Sequence, residues 1–182
     1  MNLYKPNANG TGHAIGLQFN SKDGALFAQF IKQTGWDANT KKGVFKNGKK
    51  FNLKFNASEI GVILNCIERG KAAKLFHQSE KGNTSIELKE YTSKKDGQRD
   101  GFTISVNPRD TEGEKGELFG FWFNAGEARL LKEYLQFALQ HFFSAEYSAE
   151  KKRREEYYKK AEAGQGSRAT SEHPADPLDD GF

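Results

Sequence analysis

A nine-residue segment occurs twice in this chain, and each copy changes its hydrophobic period at the same residue. Phe51-Asn-Leu-Lys-Phe-Asn-Ala-Ser-Glu59 and Phe119-Gly-Phe-Trp-Phe-Asn-Ala-Gly-Glu127 are offset by 68 residues, counted from Asn56 to Asn124. Before the Asn, large apolar side chains alternate, as Phe51, Leu53, Phe55 and Phe119, Phe121, Phe123, which is the two-residue period of a half-buried strand. After it the period is helical: Ile60, Ile63, Leu64 and Ile67 share one face, and Leu131, Tyr134, Leu135, Ala138 and Phe142 share another. Asn56 and Asn124 suit the N-cap, and Glu59 and Glu127, three residues on, can reach back to the cap amide. Gly70 supplies a stop for the first helix.

Strand-like runs separated by turn chemistry precede each junction. In the first half they are Ala14 to Phe19, Ala25 to Gln33 after Lys22-Asp23-Gly24, a short run near Val44 and Phe45, and Lys50 to Phe55 after Asn47-Gly48. Residues Trp36 to Lys46 are equally readable as a loop with one short pairing. In the second half they are Lys74 to Ser79, Thr84 to Tyr91, Gly101 to Asn107 and Leu118 to Phe123. Each half therefore reads as four strands and a helix, and the chain as an α+β fold of two antiparallel sheets packed on helices. A five-stranded OB barrel is the alternative core for the same function; it predicts no duplicated terminal helix, and the repeat argues against it.

We read residues 1–144 as this duplicated core and residues 145–160 as a charged helical extension. The extension carries Lys151-Lys152-Arg153-Arg154 ahead of Glu155-Glu156, with pairs such as Lys151 and Glu155 four apart. Residues 161–182, rich in Gly and polar side chains and containing Pro174 and Pro177, read as a disordered acidic tail ending in Phe182. That tail holds five acids against one base, a local net of −4, whereas the whole chain is +4. The body is thus positive and suited to a polyanion, and the tail is suited to competing with one or to addressing proteins.

Little in the sequence favours catalysis. His13, His77, His141 and His173 lack metal-ligand spacing, Cys66 is the one cysteine and lies in an apolar helical run, and neither a G-x-x-x-x-G-K-[ST] loop nor a G-x-S-x-G elbow occurs. No catalytic residue, metal or cofactor is therefore expected. The lone cysteine fits a reducing compartment, and the lack of an apolar run of about 18 residues argues against a membrane span or signal peptide.

Binding is better supplied. Fifteen Phe, six Tyr and two Trp in a chain of mean hydropathy −0.81 leave rings available for stacking. Bases are interleaved with rings through Lys32, Trp36, Lys41, Lys42, Phe45, Lys46, Lys49, Lys50 and Lys54. If Phe51, Leu53 and Phe55 face the helices, Lys50, Asn52 and Lys54 face away, and so by the offset do Leu118, Gly120 and Trp122. On Thr84 to Tyr91 the same parity turns Glu87, Lys89 and Tyr91 outward. Lysines on phosphates and rings on unpaired bases suit a single strand bound without sequence readout, although Trp122 could equally be covered by the other sheet or by another subunit.

Two successive units of four strands and a helix resemble the Whirly architecture, and one unit is similar to the subunit of PC4-like coactivators; the resemblance implies single-stranded nucleic-acid binding and oligomeric assembly. The Lys-Gly-Lys-Ala-Ala-Leu motif of plant Whirly proteins is not present, Gly70-Lys71-Ala72-Ala73-Lys74-Leu75 being a partial match at a helix-to-strand junction. The tail residues Asp176, Pro177, Leu178, Asp179, Asp180, Gly181 and Phe182 resemble the acidic, Phe-ended tip of bacterial and phage single-stranded DNA-binding proteins. That resemblance implies docking of replication, recombination or repair proteins, in a bacterial or phage-infected cytoplasm near the nucleoid. A homodimer or homotetramer fits the apolar richness of Leu130 to Phe143. The rival readings are an RNA-binding or transcription-regulating protein on the same scaffold, a structural adaptor with solvated basic faces, and a tail that only solubilises.

Overall fold

The structure is a computed structural model and describes residues 1–80, 82–92 and 99–165. Contacts divide the chain into one unit at Met1–Phe142 and a second at Phe143–Phe182. In the first unit, β1 (Asn2–Lys5), β2 (His13–Asn20), β3 (Ala25–Lys32) and β6 (Lys50–Phe55) form an antiparallel sheet in the order β1-β2-β3-β6. Between β3 and β6, β4 (Gly35–Asp37) and β5 (Lys42–Val44) pair only with each other. Helix α1 (Ala57–Arg69) follows, and then β7 (Ala73–Ser79), β8 (Gly82–Thr92), β9 (Arg99–Arg109) and β10 (Phe119–Asn124) form the second sheet in sequence order, leading into α2 (Ala125–Gln165).

The expected α+β duplication is present, with one strand exchanged. The short run at Val44 and Phe45 does not join the first sheet; its segment turns back on Gly35–Asp37, and the sheet is completed by β1. This strand escaped the sequence reading because four residues ahead of Pro6 are too few to show a period.

Both helix starts are built as the repeated Asn and Glu require. Glu59 N–H donates to Asn56 Oδ1 at 3.0 Å and Asn56 N–H to Glu59 Oε2 at 2.9 Å; in the second copy Glu127 N–H donates to Asn124 Oδ1 at 2.9 Å and Asn124 N–H to Glu127 Oε2 at 3.0 Å. α1 ends at Gly70, whose φ of 67° lies in the left-handed region and whose N–H closes onto Cys66 O. Each cap glutamate also binds a nitrogen from the opening strand of the other half. Glu59 Oε1 is hydrogen-bonded to His77 Nε2 of β7 at 2.8 Å, and Glu127 Oε2 accepts from Lys5 Nζ of β1 at 2.6 Å.

The inward strand rows and the helix faces merge into one core. Ile15, Leu17, Leu26, Ala28, Phe30, Leu53 and Phe55 come from the first sheet, and Ile86, Leu88, Phe102, Ile104, Val106, Phe119, Phe121 and Phe123 from the second. Ile60, Ile63, Cys66 and Ile67 of α1 and Ala128, Leu131 and Leu135 of α2 belong to the same cluster. Phe51 and Phe119, equivalent positions of the repeat, meet each other with centroids 5.4 Å apart, and Phe102 stacks on Phe123 at 4.5 Å. Burying one such ring contributes about 1.5–3 kcal/mol and a cap only about 1 kcal/mol, so burial stabilises the unit while the caps decide where strand gives way to helix.

In the second unit the helix carries i,i+4 ion pairs between Arg154 and Glu150 at 2.8 Å and between Lys152 and Glu156 at 4.0 Å, rather than between Lys151 and Glu155. α2 runs to Gln165, past the expected start of the tail at Ala161; the rest of that tail lies outside the described residues. Among the described residues no helix is long and apolar enough to cross a membrane.

Substituting either cap should cost similar stability if the two junctions are equivalent. Asn56→Ala and Asn124→Ala are each expected to lower the unfolding free energy by about 1 kcal/mol, measured by urea melts; a cost at one junction only would show that the duplication is not energetic.

Candidate nucleic-acid interface

Strand alternation turns one face of each sheet away from the core. On the first sheet Gln18, Phe27 and Lys54 are cross-strand neighbours, with Gly16, Gln29 and Asn52 in the next outward row. Lys54 Nζ stands 5.6 Å from the Phe27 ring centre, and Gln29 Nε2 donates to Asn52 Oδ1 at 3.0 Å. On the second sheet Trp122, Thr103 and Lys89 form one outward row and Gly120, Ser105, Glu87 and Lys74 another, with Phe76 beside Ser85 in a third.

Trp122 does take the outward parity expected of it, but it is half-buried. Tyr91 packs on it at 5.1 Å and 58°, and Lys5 Nζ reaches over its ring at 4.3 Å. Its indole N–H is enclosed without an acceptor among the described residues, a state that costs about 1–3 kcal/mol. Phe76 is 63% exposed.

All of the expected contact residues except Lys32 and Lys49 fall on three surfaces. Lys89, Tyr91 and Trp122 share the outward face of the second sheet, and Lys50 and Lys54 that of the first. Trp36, Lys41, Lys42, Phe45 and Lys46 lie in or beside the β4–β5 hairpin, where Phe45 meets Tyr4 edge-on at 5.6 Å. Thr40 and Asn39 donate to the Asp37 carboxylate at the hairpin turn, and those bonds, the Thr40 hydroxyl's foremost, hold its pKa below the ordinary value.

Lys32 and Lys49 behave differently. Lys32 follows the inward parity of Phe30 to the end of β3, and its Nζ lies 2.7 Å from Glu117 Oε1 and 5.2 Å from the Phe119 ring centre. Lys49 Nζ lies 2.8 Å from Glu117 Oε2. The hydrogen bonds from Lys32 and then Lys49 lower the Glu117 pKa. Beside them His13, the cross-strand partner of Lys32, is also lowered, by burial first and by the Lys32 charge second. Elsewhere Glu87 binds Lys89 at 2.9 Å and Lys74 at 3.6 Å, and Asp23 lies 3.7 Å from Lys54. Among the described residues Lys41, Lys42, Lys46 and Lys50 are exposed with no carboxylate at ion-pair distance.

Two grooves run where the sheets meet. One, of about 420 Å³, is lined by Lys5, Gly12, His13, Leu118, Phe119 and Trp122 among others. Its rim is fixed by Gln33, which is 7% exposed and makes four bonds: Oε1 accepts from Asn7 and Gly12 N–H at 3.0 and 3.1 Å, and Nε2 donates to Asn7 O and Gly35 O at 2.8 and 2.6 Å. The other, of about 640 Å³, is polar and includes Asn52, Lys54, Asn56, His77, Ser79 and Arg109. Sequence reasoning missed Phe27 and Phe76, which strand alternation could have supplied, and Lys5, Arg109 and Glu117, for which no local signal exists. Among the described residues no three His, Cys, Asp or Glu side chains group to hold a metal. The expected partner-binding residues Asp176, Pro177, Leu178, Asp179, Asp180 and Phe182 lie outside the described residues.

No protein-family model matches the sequence. No curated protein matches it either. Solved structures do match, and they give the chain a Whirly-like fold. It is similar to WHY1 from Arabidopsis thaliana, with TM-score 0.56 at 13% identity over 95% of this chain and 96% of that one. It is similar to the plant transcriptional regulator PBF-2, with TM-score 0.56 at 14% identity over 82% of this chain and 93% of that one. It is also similar to a guide-RNA-binding protein complex bound to a gRNA, with TM-score 0.58 at 15% identity over 78% of this chain and 89% of that one.

The Glu117 clamp has an acid limit. A carboxylate whose folded pKa is depressed contributes stability that is fully present above its ordinary value of 4.5 and is lost as pH falls through the lower folded value. Carbon-detected NMR titration should find Glu117 below 4.5, moving back toward that value in Lys32→Gln; an unmoved titration would show that the clamp is not formed in solution.

Proposed function

We propose that the core binds single-stranded nucleic acid, DNA in the first place, without reading its sequence. The observation that carries this reading is the outward face of the second sheet, where Phe76, Tyr91 and Trp122 stand among Lys74 and Lys89. Rings on a sheet face accept any unpaired base, at about 1–3 kcal/mol each, and Lys74 and Lys89, exposed and paired with Glu87 in the free protein, exchange that carboxylate for phosphates. The fold likeness supports the reading through neighbours whose own descriptions name nucleic acid or transcription. In this role the protein would coat and protect single strands during replication, recombination or repair, with Asp176-Pro177-Leu178-Asp179-Asp180-Gly181-Phe182 engaging partner proteins.

RNA is the second reading, and the likeness to a complex bound to a gRNA favours it. Fluorescence anisotropy with matched oligothymidine, oligouridine and duplex DNA separates the cases. Tighter binding of oligothymidine than of duplex is expected, weakening steeply with salt, about unchanged or tighter after truncation at Ala163, and about tenfold weaker in Trp122→Ala, as loss of one stacked base implies. Indifference to both single strands in dilute buffer would leave only an adaptor, and preference for oligouridine would assign the protein to RNA.

Oligomerisation is part of the same proposal. Leu130 and Phe137, two turns apart on α2 and opposite its core-facing residues, are 54% and 61% exposed, which suits a face covered by a second copy. Sedimentation should find a dimer or tetramer that Phe137→Glu dissociates without unfolding; a monomeric wild-type chain would remove this part.

A further inference from the structure

We propose that Lys32 and Lys49 form a phosphate site which the Glu117 carboxylate occupies in the free protein and yields to an incoming nucleic-acid backbone. This rests on the binding function proposed above and adds its regulation. The geometry is that of a stand-in: one carboxylate oxygen meets each ammonium, Oε1 on Lys32 and Oε2 on Lys49, as two oxygens of one phosphate would.

Lys32 makes the site demand an anion. Its side chain is 27% exposed, stands over Phe119 and projects from the inward row of β3, so removing its counter-charge leaves a partly covered cation unbalanced. His13 beside it is biased toward its neutral form, by burial first and by the Lys32 charge second. Lys49, 74% exposed, leaves the site open to solvent. The apolar groove shares Phe119 with the site and also presents Leu118 and Trp122, so a base could enter it while its phosphate sits on the lysines.

Glu117 is placed to leave. The segment from Asp110 to Gly116 is exposed and folded mainly on itself, with Glu112 and Glu114 N–H donating to Asp110 Oδ1, Gly113 N–H to Asp110 O and Gly116 N–H to Pro108 O. Of the two ion pairs that hold Glu117 down, the one to Lys49 faces solvent, where water screens it enough to be easily exchanged, and the one to Lys32 is exchanged for a phosphate that supplies the same counter-charge. Asp110, Glu112 and Glu114 outnumber Lys115 in that segment, so it carries net negative charge of the sign a backbone repels.

The test uses the full chain and oligothymidine over a salt series, with thermal melts to confirm folding. Glu117→Gln should bind about three- to tenfold tighter at low salt with a salt slope about that of wild type, because once Glu117 has yielded both chains neutralise the same number of phosphates. Glu117→Asp, too short to span both lysines, should fall between wild type and Glu117→Gln. In a Lys32→Gln, Lys49→Gln background the gain should vanish. Wild-type binding that Glu117→Gln fails to strengthen, or a gain that survives loss of both lysines, overturns the proposal while leaving the binding function standing. Absence of oligothymidine binding by wild type and Glu117→Gln alike overturns the binding function and the proposal with it. Inorganic phosphate replacing chloride at equal ionic strength should not compete in Glu117→Gln; competition at millimolar levels would assign the site to free phosphate instead.

Discussion

One carboxylate at each strand-to-helix junction sets the architecture of the core unit. Glu59 and Glu127 each close a capping box on an Asn, and each also takes a nitrogen from the strand that opens the opposite half, His77 in one case and Lys5 in the other. The exchange is reciprocal, so each junction, complete within its own half, also ties that half to the other. Phe51 and Phe119 repeat the relation in the core, since equivalent residues of the two copies are each other's neighbours. Because the junction fixes the last residue of β6 and of β10, it also fixes which side chains of those strands turn outward. Lys54 and Trp122 therefore hold their outward parity in register with the cap Asn two residues on.

Positive charge in the sequence is not equivalent to positive charge available to a ligand. Several lysines that look alike in the chain are held by Glu117, Glu87 or Asp23, whereas Lys41, Lys42, Lys46 and Lys50 keep their charge for solvent. Lys41, Lys42 and Lys46 lie in or beside the β4–β5 hairpin, and Lys50 opens β6 on the first sheet's outward face. The exposed cations of the first half are thus divided between a hairpin and a sheet strand.

Much of the fold was legible because the repeat changes period at an Asn, and period is a local property. β6, α1 and the start of α2 follow from that change and from the cap chemistry alone. β1 was not legible, since four alternating residues carry almost no statistical weight and their pairing with β2 is fixed by neighbours that the sequence does not mark. The site divides along the same line. Outward parity for Lys54, Lys89 and Trp122 could be read from alternation, but the carboxylate shared by Lys32 and Lys49 lies on a loop more than sixty positions downstream, and Lys5 reaches Trp122 across an even longer separation.

Gln33 illustrates how narrow a constraint one buried amide imposes. It gives two N–H bonds to carbonyls and receives two from amides, so glutamate would bring lone pairs against Asn7 O and Gly35 O, lysine would bring protons against two donors, and methionine would satisfy none of the four. No other natural side chain of that length reproduces the pattern. A position so exacting is a fingerprint: in distant kin whose overall similarity has faded, a glutamine at the close of the third strand would mark common descent more dependably than any stretch of matched hydrophobic residues.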